Sequence, residues 1–174
     1  MTRPASVALP IAFVVLRILI VLNWLFGACI LALLVYTFIN EPWTMLALGV
    51  SRLPDAQTVM MGMRAIAALG VIAIGLSYAV LKRLLAMVGT VRAGDPFVAA
   101  NAYRLQIVAW ILLALQLLSL AIAAIGKAIS TSQHPFHLDA GFSVNGWLAV
   151  VLTFVLARVF AEGTLMREDL EGTV

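Results

Sequence analysis

Four uncharged, strongly apolar runs dominate the chain, at residues 18–39, 65–81, 105–126 and 142–157, and short polar stretches separate them. A membrane-spanning helix needs about 20 mostly apolar residues, so the first and third runs suffice alone. The second extends outward over Val59 to Met63, and the long stems of Lys82 and Arg158 let the charged ends of the second and fourth runs reach an interface. The pattern predicts an all-α, integral membrane four-helix bundle forming one domain over residues 1–174, with spans at about 18–39, 60–81, 105–126 and 143–161.

Past Leu81 the pattern turns amphipathic: Leu81, Leu84, Leu85 and Val88 recur at helical spacing against Lys82, Arg83 and Arg92. The second helix is therefore expected to continue beyond the bilayer and to form, with the third, a helical hairpin extension on the cytoplasmic side. The hairpin tip is the polar break 94–104, GDPFVAANAYR. Gly94 suits the end of one helix. Asp95 as N-cap and Pro96 at the first helical position predict that the next helix starts there. Asn101 and Arg104 would then be presented on its first turns.

Composition supports the membrane assignment. The hydrophobic fraction is 64%, the charged fraction 11% and the mean hydropathy +1.10, whereas about a quarter of a soluble protein is charged. An even number of spans puts both termini and the 82–104 connection on one side. That side carries Arg3, Arg17, Lys82, Arg83, Arg92, Arg104, Arg158 and Arg167, against Arg52, Arg64 and Lys127 on the other. The richer side is expected to be cytoplasmic. The net charge of +3 follows this topology, so it implies no direct contact with nucleic acid.

The remaining polar positions are mostly structural. Pro10 would kink or end a helix, leaving residues 4–16 at the inner interface. Asn23 is expected to make an interhelical hydrogen bond and Trp24 to sit at headgroup depth. Residues 40–58 leave the membrane, carry an interfacial apolar piece and start the second helix near Asp55, with Arg64 snorkelling near the outer boundary. Ala68, Gly75 and Ala79 share a helical stripe, and Ala73 and Ser77 are four apart. That spacing serves close packing within the chain or in a homo-oligomer. Gln116 is the most polar residue at membrane depth, and the lack of a buried charge argues against transport.

Cys29 is the single cysteine, which excludes an internal disulfide. It lies in LFGAC, loosely like a lipoprotein cleavage box, but the apolar run continues beyond it as in a buried helix. His134, His137 and Asp139 have ligand-type side chains on a Pro-containing turn. With no fourth ligand they default to solvated turn residues, and no metal or other cofactor is predicted.

The segment GDPFVAANAYRLQ, a last span ending in ARVFAEGTL and an acidic tail closing on Thr173 and Val174 resemble the bacterial family catalogued as domain of unknown function 2975. The matching positions are Gly94, Pro96, Phe97, Asn101, Arg104, Leu105, Phe160, Gly163, Leu165, Glu168, Thr173 and Val174, while Gln106 and Gly172 depart from the pattern. The resemblance is strong from about Gly94 onward and architectural before it. It implies a small four-span inner-membrane protein with no established enzymatic activity, of a kind often encoded beside a small helix-turn-helix regulator.

These observations rank three classes of function. First comes a non-enzymatic regulatory or sensory membrane partner of a cytosolic DNA-binding regulator. Its candidate interaction surface is Asp95, Pro96, Asn101, Arg104, Arg158, Glu162, Glu168 and Asp169 at the cytoplasmic face, where anionic lipid headgroups would also gather. There the acids Glu162, Glu168, Asp169 and Glu171 would fold back toward a basic collar of Arg17, Lys82, Arg83, Arg104 and Arg158. A small transporter or channel subunit, oligomeric through the small-residue stripe, ranks second. An intramembrane enzyme ranks last, because Cys29 has no catalytic partner in the sequence.

Overall fold

The computed structural model describes residues 8–51, 53, 55–130 and 140–171, with side chains described for all of these except Ala8 and residues 168–171. It is an all-α bundle of α1 (Ala8–Ile39), α2 (Glu41–Ala47), α3 (Ala56–Arg92), α4 (Ala99–Ile129) and α5 (Val144–Glu171). Four of these, α1, α3, α4 and α5, are long and apolar enough to cross a membrane. Exposed Val21, Leu25, Phe26 and Phe38 on α1 suit that setting, where lipid rather than protein covers the outer face.

The helices pack in chain order, α1 on α3, α3 on α4 and α4 on α5, and α1 makes no extensive contact with α4 or α5. The bundle is thus an open row rather than a closed ring. Close approaches along it use glycine. A Cβ on Gly27 would come within 2.8 Å of Ile74 in α3, and one on Gly62 would overlap Ile129 in α4. Of the small-residue stripe, Ala68 and Gly75 are exposed in the single chain, and a Cβ on Gly75 would meet nothing within 4 Å.

Two expectations, for Pro10 in α1 and Arg64 in α3, are revised. Pro10 does not end a helix: it sits in the first described turn of α1, and the helix continues to Ile39. Arg64 does more than reach an interface. Its Nη2 donates to the Thr37 carbonyl at 2.6 Å and to Glu41 Oε2 at 2.9 Å, while its guanidinium carbon lies 4.3 Å from the Phe38 ring centroid. It thereby satisfies one of the orphan carbonyls at the end of α1 and balances the helix dipole there. Asn40 then caps α2, its Oδ1 accepting from the Trp43 N–H at 3.4 Å.

The apolar piece after α2 folds inward. Gly49, at φ 69°, lets the chain reverse after Leu48, and Val50 becomes fully buried against Val59 of α3 and Ile129 of α4. Asp55 is the N-cap position of α3, as its place before an apolar run predicts. Asn23 makes the interhelical bond expected of it, from Nδ2 to the Ile74 carbonyl at 3.2 Å.

The start of α5 is the least anticipated feature. Val144 begins the helix beside Gln116, near the middle of α4, and not beside the α4 C-terminus. Gln116 Nε2 donates to the Ser143 carbonyl at 3.4 Å, and the Gly141 N–H donates to Ser119 Oγ at 3.0 Å. Gly146 permits the approach, since a Cβ there would overlap the Gln116 amide. From this point α5 runs toward the α3–α4 turn, with Phe154 edge-on to Trp110 at 5.2 Å.

Candidate functional site

At 37 residues, α3 is about 55 Å long, against a hydrocarbon core of about 30 Å. It runs on past Lys82 and Arg83 to Arg92, as the amphipathic pattern requires. There it closes with a Schellman turn. Gly94 adopts φ 87°, its N–H donates to the Val91 carbonyl, and the Asp95 N–H donates to the Thr90 carbonyl, both at 3.1 Å.

The next helix does not start at Asp95. Residues 95–98 carry no helical assignment, Val98 is the extended N-cap, and α4 begins at Ala99. The reason is tertiary. Phe97 packs on Phe160 of α5, with ring centroids 5.4 Å apart, and lies against Gly163, where a Cβ would sit 3.2 Å from its ring. The Pro96 carbonyl accepts from the Asn101 side chain. Local preference for an N-cap at Asp95 yields to these contacts.

Asn101 holds the tip together. It is fully buried, so it is not presented on the first turn of the helix as the sequence suggested. Its Nδ2 donates to Thr90 Oγ1 at 2.7 Å and to the Pro96 carbonyl at 2.9 Å, and its Oδ1 accepts from Arg104 Nη1 at 2.8 Å. One side chain therefore ties the last turn of α3 to the loop and orients Arg104. Such a buried amide is stable only because both of its ends are satisfied.

The C-terminal part of α5 closes the site. Arg167 forms an ion pair with Asp95 across the tip, and Arg158 pairs with Glu162 one turn along the same helix. The first pair is half-exposed and the second more so, which limits what either adds to stability. Thr164 is buried, its hydroxyl donating to the Phe160 carbonyl at 2.8 Å, whereas Leu165 and Met166 are exposed. Beyond Arg167 the backbone continues as helix to Glu171.

The tip thus gathers Asp95, Pro96, Asn101 and Arg104 from the predicted surface, with Arg158 and Glu162 farther along α5. The side chains of Glu168 and Asp169 lie outside the described residues, as do His134, His137 and Asp139. The described α5–tip contact is a cation on α5, Arg167, meeting an acid on the tip, Asp95; the expected docking of Glu168, Asp169 and Glu171 falls on side chains outside the described residues. Sequence reasoning missed Thr90 and Arg167 as tip residues. A lone hydroxyl and a lone cation on separate helices carry no spacing signal.

Residues 66–174 match a family described as "Protein of unknown function (DUF2975)". The chain belongs to this family. The match takes in α3 from Ile66, the whole tip, α4 and α5, while α1 and α2 precede it. No curated protein and no solved structure matches the chain.

Proposed function

We propose that the protein is a non-enzymatic, multi-pass protein of a bacterial inner membrane, with both termini and the hairpin tip in the cytoplasm. There it serves as a regulatory partner that holds a cytosolic regulator, of the small helix-turn-helix type, at the membrane. One observation carries this reading: the tip and the end of α5 are joined into a single ordered unit by the Asp95–Arg167 pair and the Phe97–Phe160 contact. That unit leaves Phe97 partly exposed and Leu165 and Met166 exposed, an apolar surface flanked by charge that suits a transient protein contact.

Co-purification tests it. Leu165→Asp with Met166→Asp should remove a cytosolic protein recovered with the wild-type chain, while membrane insertion persists. Unchanged recovery would contradict the proposal.

A small transporter or channel subunit remains as the second reading. It is favoured by the start of α5 half-way along α4, beside Gln116 and Ser119, where the first turn of a spanning helix leaves polar backbone groups. Solute or ion flux through vesicles containing the purified chain would support it, and sealed vesicles that remain tight would remove it.

A further inference from the structure

The cations at the tip end of the bundle are not equivalent. Arg158 is paired with Glu162 and Arg167 with Asp95. Arg17 and Arg92 both lie over one aromatic ring, their guanidinium carbons 4.7 Å and 4.9 Å from the Phe13 centroid. Lys82, Arg83 and Arg104 have no carboxylate partner among the described residues. These three line one groove between α3 and α4, about 450 Å³ in volume, with Ala86, Tyr103 and Ile107.

The two arginines are held in place. Arg83 Nη1 donates to the Ala79 carbonyl at 2.9 Å, and Arg104 Nη1 donates to Asn101 Oδ1 at 2.8 Å. A guanidinium has five N–H donors, so one anchoring bond leaves the rest able to grip an anion. The groove volume lies within the range of about 300–1,000 Å³ typical of ligand sites. Its other lining side chains are Ala86, Ala100, Ile107 and the amphipathic Tyr103, and it lies where the uncharged stretch of α3 ends and its amphipathic stretch begins.

We infer that this groove is a binding site for one anionic phospholipid, its phosphate held by Lys82, Arg83 and Arg104 and its acyl chains continuing along the apolar faces of α3 and α4. The site depends on the chain crossing a membrane and is independent of any cytosolic regulator. Asn101 is its positioning residue, because it fixes Arg104. A lipid is the occupant of choice over a free phosphate because the groove joins fixed cations to apolar helix surface at the end of a span. A soluble anion would use only the cations.

The test uses the purified full chain in nanodiscs of phosphatidylcholine doped with phosphatidylglycerol, with bound lipid measured by native mass spectrometry. Replacing Lys82, Arg83 and Arg104 together by Gln should reduce retained phosphatidylglycerol by on the order of tenfold or more. Arg92→Gln with Lys127→Gln, which removes two cations outside the groove, should leave retention unchanged. Arg83→Lys with Arg104→Lys keeps the charge and should retain most of the lipid, which guards against misfolding of the triple variant. Equal loss in the groove and control variants would overturn the site. So would displacement of the lipid by millimolar inorganic phosphate, because that would make the occupant a soluble anion.

Discussion

At the scale of single residues, the tip depends most on Asn101, the largest polar side chain that the structure buries completely. Its amide donates twice and accepts once, so an apolar replacement strands the Pro96 carbonyl and frees Arg104. Asn101→Leu should lower stability by about 2–4 kcal/mol. Thr90→Val removes only one of these bonds and should cost about 1 kcal/mol. Thermal unfolding of the purified chain in detergent checks both, and equal costs would show that Asn101 acts through packing instead. The sequence exposed these residues unevenly. Asn101 could be singled out as polar and close to a break, but its burial could not be read, because burial depended on a turn that tertiary contacts reshape. Arg64 is parallel: its charge near a boundary suggested snorkelling, and only the folded chain places it against the end of α1.

At the scale of elements, apolar runs and local signals located the helices well. The Asp55 start of α3, its amphipathic continuation to Arg92 and its stop at Gly94 all follow from propensity and periodicity. The α4 start did not, since Phe97 is drawn onto Phe160 and keeps residues 95–98 out of the helix. Relative register between helices was also hidden, because an apolar run states how long a helix is and not which residue on its neighbour it meets. Hence the meeting of Gly146 with Gln116 was unforeseen. Gly146→Ala should cost about 1–3 kcal/mol by overpacking against the Gln116 amide. Adding Gln116→Ala should recover most of that loss in the same unfolding measurement. Additive losses would mean that α4 and α5 do not meet at this level.

At the scale of the whole molecule, the protein is an open row of four long helices with side-chain polar contacts at the tip, at the start of α5 and where Arg64 meets the end of α1. Hydrophobic burial is sparse in such an arrangement, so a membrane must cover most of what the chain leaves exposed. Membership of the family and the multi-pass architecture were both legible in the sequence. The joining of the tip to the end of α5 was not, because Asp95 and Arg167 are 72 residues apart and each looks like an ordinary surface charge. The functional claim rests on that joined unit facing the cytosol with an exposed surface. The most direct measurement is photocrosslinking in native membranes from a reactive group at Ala100, an exposed position on the first turn of α4. The account expects capture of one small cytosolic DNA-binding protein. That capture should be weakened by Arg167→Asp and restored when Asp95→Arg is added. Crosslinks to lipid or to the chain itself alone, in wild type and variants alike, would contradict it.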